Sequence, residues 1–322
     1  MIGRRLLGNT GIEVTEIGLG TAQLANTDGN SPSVRLVSPE GARLVIEEAI
    51  EFGISFFDTG DQYGTAECLL GALPVELQRR IVVATKAGLR DDGVRDFSDA
   101  YLESRLMRSL KRLNVECVDI FQLNKPSIGQ LISGKAMEFL DQQKRRGTIR
   151  YAGVVVGEPE TGFACLEAGV VDCIQVLYNL TYQTTEPLIA EAYRRGVGVI
   201  VRSPLNSGLL SGTVTPKTQF RDEDERSRYF RGAQFESRVT AIQAIAADLE
   251  VDPTSGLLEL ALRFIKSNSG VSTMIPGTSR RDQLLRYVGC AELPALTADE
   301  MTRVRAAVKH RMVEIDAPVQ LQ

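Results

Sequence analysis

Eight times along the chain, a short run rich in valine and isoleucine gives way to a polar connection and then to a stretch with helical spacing. The runs are EIGLG (16–20), ISFFD (54–58), IVVATK (81–86), CVDIFQL (117–123), YAGVVV (151–156), DCIQVLY (172–178), VGVIVR (197–202) and VSTMIP (271–276). Unbroken apolar runs of this length suit strands buried on both faces by flanking helices. The segments between them carry helix signals. PEGARLVIEEAIEFG (39–53) opens on proline and closes on glycine, and residues 98–114 set Leu102, Leu106, Leu110 and Leu113 on one helical face. Residues 135–147 and 187–196 end on basic residues followed by glycine. Eight such βα units over 322 residues favour a closed (β/α)₈ TIM barrel over an open doubly wound sheet.

Ahead of the repeat, RRLLGNTGIEVTE (4–16) places an Asn-Thr-Gly turn between two β-like runs and predicts an N-terminal β-hairpin. No shift in composition marks a linker, so residues 1–322 are expected to form a single barrel domain. The longest irregular stretch is expected after the seventh run, at 203–234, where it would hang over one end of the barrel.

Composition removes several function classes. Net charge is −4 with acids and bases mixed, so no basic stripe argues for nucleic acid. No apolar run approaches the ~20 residues of a membrane helix, and the N-terminus lacks the apolar core of a secretory signal. Five scattered cysteines without a CxxC pair suit buried thiols in a reducing, cytoplasmic setting. A single histidine, His310, leaves little for a zinc site, and no metal is expected.

In a barrel, residues at the C-terminal strand ends converge on one mouth. Read from the sequence, these are Asp58 and Tyr63 after the second run, Lys86 after the third, Asn124 after the fourth, Gln175 on the sixth and Arg202 on the seventh. An Asp, a Lys and a Tyr sharing one cleft form a proton-donating unit. The ammonium beside the phenol makes it a readier donor, and Asp58 keeps the lysine charged and oriented. The rival phosphate-loop reading of GLGTAQ (18–23) lacks the third glycine and a following helix.

The motifs FFDTGDQYG, ATKAG, DIFQL, GTIRYAGV, RSPLNSGLLSG and IPGTS occur in that order across nearly the whole chain, and together they resemble the aldo-keto reductase family. The opening RRLLGNTGIEVTEIGLGTAQL is similar to its bacterial members. The resemblance implies a barrel enzyme that reduces an aldehyde, ketone or sugar-like carbonyl by hydride transfer from NADPH. It places Tyr63 as general acid, supported by Lys86 and Asp58. It also implies a cofactor site, position by position. Gly20, Thr21 and Asp58 match the nicotinamide ribose, Gln175 the carboxamide, and Arg202 the nicotinamide face. Ser203, Leu205, Asn206, Ser207 and Gly208 match the pyrophosphate. Gly277, Thr278, Ser279, Arg280 and Gln283 match the adenosine 2′-phosphate.

Three positions depart from the family pattern. Asn124 stands where the family usually has a histidine; it still donates a hydrogen bond but cannot become an imidazolium. Gly153-Val154-Val155-Val156 replaces a Gly-Val-Ser-Asn run that anchors the carboxamide. Arg286-Tyr287 replaces Glu-Asn at the adenine end, with Tyr287 either stacking on adenine or packing on the barrel. A non-redox enzyme (dehydratase, lyase or isomerase) and a redox-impaired regulatory protein on the same barrel therefore stay open beside the reductase. Substrate identity and oligomeric state are not readable from the sequence. The loops 22–38, 90–97, 125–131 and 213–234 are expected to set the substrate, with 22–36 polar and mobile.

Overall fold

The computed structural model describes residues 1–25, 37–222, 224 and 226–315; most of the expected mobile segment 22–36 lies outside the described residues. Two strands form the expected hairpin, β1 (Arg4–Leu6) and β2 (Glu13–Thr15), paired antiparallel with Arg5 opposite Val14. Eight parallel strands follow: β3 (Leu19–Gly20), β4 (Phe56–Asp58), β5 (Val82–Ala87), β6 (Val118–Asn124), β7 (Ile149–Val155), β8 (Cys173–Leu177), β9 (Gly198–Arg202) and β10 (Thr273–Met274). They pair in chain order from β3 to β10. The ends meet through parallel bridges Ile17–Met274 and Gly20–Gly277, with Gly18 N donating to Met274 O at 2.8 Å, which closes the barrel.

All eight strands fall on the apolar runs of the sequence. Around them lie α1 (Pro39–Glu51), α2 (Ala66–Gly71), α3 (Val75–Gln78), α4 (Asp99–Leu113), α5 (Ile128–Ile132), α6 (Lys135–Arg146), α7 (Pro159–Ala168), α8 (Glu186–Arg194), α9 (Arg226–Tyr229), α10 (Gly232–Asp248), α11 (Gly256–Lys266), α12 (Arg281–Glu292) and α13 (Ala298–Ile315). Local chemistry sets their ends. Ser38 Oγ caps α1 by accepting from Gly41 N at 3.1 Å, and Pro39 fills the first turn where its missing N–H costs nothing. Helix α4 stops at Asn114 and α6 at Gly147, both in the left-handed conformation. The leucines of α4 are buried as their spacing requires, each worth roughly 1.5–3 kcal/mol of gross burial.

Two apolar layers result. One, between barrel and helices, takes the outward residues of the strands, such as Ala152, Val154 and Val156 of the β7 segment. The other fills the lower barrel: Phe56, Ala84, Ile120, Cys173 and Ile200 meet Leu7, Ile12 and Val14 of the hairpin segment, so the hairpin plugs the N-terminal end. The opposite mouth is left free of this apolar plug.

The stretch 203–234 is less irregular than its composition predicts. A 3₁₀ segment spans Asn206–Ser211, and α9 and the start of α10 account for much of the rest. Phe220, Phe230 and Phe235 pack with ring centroids 5.6–5.8 Å apart and pin the charged loop down, an apolar trio the charge pattern conceals.

Candidate active site

Above the apolar plug, the inward-facing residues turn polar. Lys86, near the end of β5, is 5% exposed and donates to Asp58 Oδ1 at 2.5 Å and to Thr59 O at 2.7 Å. Its ammonium lies 4.6 Å from the centre of the Tyr63 ring. Burial alone would favour the neutral amine, but Asp58 and then Tyr63 outweigh it and raise the Lys86 pKa. A charged lysine in this mouth is thus stable only with its carboxylate in place. Gly60 makes the packing possible, because a Cβ there would sit 3.2 Å from Lys86 Cγ and 3.7 Å from Tyr63 Cδ1.

The second oxygen of Asp58 accepts from Gln175 Nε2 at 2.8 Å and Gln122 Nε2 at 3.3 Å, while Gln175 Nε2 also reaches Gln122 Oε1 at 3.2 Å. Four strands therefore contribute to one buried polar layer: Asp58, Lys86, Gln122 and Gln175. Gly153 leaves it room, since a Cβ there would lie 2.9 Å from both Gln122 Cγ and Cys173 Sγ. Val155 is 2% exposed, pairs in register with Asn124 and Gln175, and continues the inward series of β7. It lines the mouth with an isopropyl group beside Gln175.

Asn124 ends β6, and its carbonyl accepts from Arg95 Nη1 at 2.9 Å. Arg202 ends β9 and donates to Val156 O at 3.4 Å, while its Nε is buried without an acceptor among the described residues. Desolvation lowers the Arg202 pKa, opposed by the nearby Tyr63, Tyr182 and Glu158.

The loops matched to a dinucleotide are built in detail. Thr21 donates to Asp58 O through both its N–H, at 2.9 Å, and its hydroxyl, at 3.0 Å, fixing the Gly20–Thr21 corner beside β4. Ser203, Asn206, Ser207 and Gly208 all have positive φ (52°, 45°, 55° and 96°), and Leu205 between them is buried. Asn179 Nδ2 donates to Ser203 O at 3.1 Å and Asn206 Nδ2 to Thr181 Oγ1 at 3.0 Å, which hold this unusual backbone. The run also closes on itself, with Asn206 N donating to Ser203 O at 3.0 Å and Gly208 N to Leu205 O at 2.9 Å. Past Gly277, Thr278 donates to Gln283 Oε1 at 2.7 Å and accepts from Arg280 N at 3.0 Å, with Ser279 at the bend between them. Arg280 is exposed and forms a two-point pair with Asp282 (2.8 and 2.5 Å). Tyr287 is buried and donates to Gly277 O at 3.2 Å, so of its two expected placements it takes the packed one. Arg286 donates to Thr254 O at 3.2 Å.

Comparison with known proteins decides the family. The model of the Aldo/keto reductase family matches residues 16–309. The chain belongs to the aldo/keto reductase family. It is similar to the uncharacterized oxidoreductase YqkF of Bacillus subtilis strain 168, at 28% identity over 313 residues, covering 95% of this chain and 96% of that one. It is 30% identical over 312 residues to the L-galactose dehydrogenase of Arabidopsis thaliana, covering 92% and 91%. Among solved structures, the holo form of aldo-keto reductase AKR11C1 from Bacillus halodurans superposes with a TM-score of 0.78 at 26% identity, covering 95% of this chain and 96% of that one. The chain is accordingly an oxidoreductase enzyme of TIM-barrel fold. Among its described residues, no helix is long and apolar enough to cross a membrane.

Within this aldo/keto reductase, sequence reasoning missed three groups. Gln122, quoted only as part of a strand, is fully buried beside Asp58. Its signal is an amide between Phe121 and Leu123, in a run whose other polar residue is Asp119. Arg95 was hidden in a polar loop. Asp61, two residues before Tyr63, meets arginines of α4: Arg108 Nη2 at 2.9 Å and Arg105 Nε at 3.6 Å from its carboxylate, and Arg112 Nη1 at 2.8 Å from its carbonyl. Arg112 also pairs with the fully buried Glu67 at 3.4 Å. The spacing 105, 108, 112 is one helix face, legible only once that face is known to lie under the Tyr63 loop.

Proposed function

We propose that the chain reduces the carbonyl of an aldehyde, ketone or sugar-like compound, with NADPH as hydride donor and Tyr63 as proton donor. The observation that supports this most is the buried Asp58–Lys86 pair beneath the Tyr63 ring at the C-terminal mouth of a parallel barrel.

The residues fit a dinucleotide. Gly20, Thr21 and Asp58 would hold the nicotinamide ribose, Gln175 the carboxamide, and Arg202 the ring face. The positive-φ backbone of Ser203 to Gly208, with Leu205 packed behind it, would hold the pyrophosphate, and Gly277, Thr278, Ser279, Arg280 and Gln283 the adenosine 2′-phosphate. The unmet Nε of Arg202 supports a ligand on that side. Two contacts must be shared. Gln175 already donates to Asp58, so Val155 leaves the carboxamide a single polar anchor. Arg280 must exchange Asp282 for phosphate, at small cost for an exposed pair. The guanidinium there favours NADPH over NADH.

When bound, NADPH supplies a hydride to the carbonyl carbon. Tyr63 gives its hydroxyl proton to the carbonyl oxygen as negative charge develops there, a contribution typically of ~10²–10⁴-fold. Lys86, fixed by Asp58 Oδ1 and Thr59 O, keeps a positive charge beneath the ring and stabilises the phenolate left behind. The Asn124 amide donates to the same oxygen where an imidazole would bind it more strongly. Five unpaired thiols, three of them buried, suit work in a reducing cytoplasm.

Fluorescence titration with NADPH and NADH, followed by a panel of carbonyl compounds at saturating cofactor, tests the proposal. Low-micromolar NADPH binding, weakened in Arg280→Ala, together with reduction of at least one carbonyl is expected. Absence of binding overturns it. Turnover that persists without nicotinamide would assign Tyr63 and Lys86 to acid–base chemistry of a different reaction.

A further inference from the structure

Two guanidinium groups at the mouth lack the carboxylate partner that most partly buried arginines of this chain have. Arg5 pairs with Glu16, Arg108 with Asp61, Arg112 with Glu67, Arg195 with Glu191 and Arg226 with Asp224. Arg95 and Arg202 have no carboxylate within 4.0 Å among the described residues. Each is instead held by a main-chain carbonyl at the end of a barrel strand: Arg95 by Asn124 O and Arg202 by Val156 O.

Those anchors are close together. Asn124 lies opposite Val155 in the β6–β7 register, and Val156 is the next residue. Adjacent strands are ~4.8 Å apart, so both guanidinium groups hang on neighbouring strand ends. The loop bearing Arg95 is also tied to the proton donor's side. Gln62 Nε2 and the Tyr101 hydroxyl both donate to Leu89 O, and Leu89 bridges Arg95. Asp96 N donates to Gly88 O at 2.9 Å and locks the base of the same loop. Arg95 therefore sits between Tyr63's neighbour and Asn124, where the substrate oxygen is assigned. Lys86 adds no free charge, being neutralised by Asp58. The acid that acts on Arg202 is Glu158, one residue past Gly157 at the rim.

A half-buried cation that meets only a carbonyl dipole has given up water for a partial partner. A substrate anion entering the mouth would complete Arg95, while a neutral substrate would leave it as it is. We propose that Arg95 forms a cationic wall on the substrate side, Arg202 being taken up by the nicotinamide face, and that the substrate carries a carboxylate in addition to its reducible carbonyl. This rests on the assignment of Tyr63 as proton donor and narrows the substrate class from any carbonyl compound to an oxo acid.

The test compares para-carboxybenzaldehyde with its methyl ester, in NADPH-dependent reduction by the full chain. The wild type is expected to prefer the acid by roughly tenfold or more in kcat/KM, mainly through KM, as a desolvated charged contact provides. Arg95→Gln should collapse that ratio, Arg95→Lys should restore part of it, and Arg90→Gln, on the same loop but paired with Asp92, should leave it in place. Independently of turnover, calorimetry should show terephthalate binding to the wild-type protein, weakened about tenfold in Arg95→Gln. An acid-to-ester ratio near one in the wild type, or one unchanged in Arg95→Gln, overturns the cationic wall and leaves the reductase assignment standing. Terephthalate binding that is indifferent to Arg95 also overturns it. If neither aldehyde nor any other carbonyl is reduced while terephthalate binding still depends on Arg95, the reductase assignment falls and the anion site stands.

Discussion

A lysine buried to 5% exposure is costly unless its charge is met, and Asp58 meets it. Removing one member of such a pair strands the other. Lys86→Met is expected to destabilise the protein by about 3–5 kcal/mol in urea denaturation. The double variant Lys86→Met/Asp58→Asn should be more stable than Lys86→Met, because it removes the stranded charge; equal or lower stability would contradict this account of the layer. The raised Lys86 pKa makes the pair's contribution constant at neutrality, since it is lost only as pH rises beyond the ordinary lysine range. Asp61 has the same sign in a lower window. Burial, opposed by Arg108 and Arg105, pushes its pKa up to about 6 from 3.8. Between those values the native state binds more protons than the unfolded chain, so this residue's contribution to stability falls as pH rises through the window. The stability of the wild type relative to Asp61→Asn should therefore drop between about pH 4 and 6.5, by at most roughly 3 kcal/mol. A difference independent of pH would show that Asp61 stays ionised throughout. Of these residues, Asp58 and Lys86 were legible from the sequence because each sits where an apolar strand turns polar, and Tyr63 because it lies in the loop directly after Asp58. Gln122 was not, because a buried amide inside an apolar run looks like noise until its neighbours across the barrel are known.

At the scale of elements, the Tyr63 loop is held from beneath by the α2–α4 contact as well as by β4. Gly71 ends α2 against α4, and a Cβ there would lie 2.1 Å from Arg112 O, a main-chain atom with nowhere to go. Gly71→Ala is expected to lower the thermal midpoint by several degrees and to reduce kcat, because α4 carries the arginines that grip Asp61. A variant with unchanged midpoint would show that the two helices can part without cost. Helices α1, α4 and α6 were readable to within a residue or two at each end because caps and leucine spacing act locally. The segment 203–234 was not. Its order comes from Phe220, Phe230 and Phe235 meeting in space, and from Asn179 and Thr181 of a different strand's loop holding Ser203 and Asn206. Neither contact leaves a periodic trace in the sequence.

For the whole molecule, the barrel divides the labour between its ends. The hairpin plugs the lower end with Leu7, Ile12 and Val14, and the upper end collects the polar layer and the loops. Eight runs of the same character made the architecture legible, because an eightfold repeat of strand and helix has few ways to close. Which polar residues share the mouth followed from that closure. How they pair did not: Gln175 reaching Asp58, and Arg280 reaching Asp282, are outcomes of packing and charge that the family pattern does not announce. The departures at Asn124 and Val155 leave the Asp58–Lys86–Tyr63 group intact, so on the proposed function slow but real reduction is expected rather than none. The most direct measurement is pre-steady-state oxidation of NADPH in a single turnover, with cofactor binding followed separately by fluorescence, in the wild type, Tyr63→Phe and Lys86→Met. The account predicts near-equal NADPH affinity in the wild type and Tyr63→Phe, weaker binding in Lys86→Met where Asp58 is stranded, and a loss of ~10²-fold or more in the chemical step for both variants. Undiminished NADPH oxidation in Tyr63→Phe would contradict it.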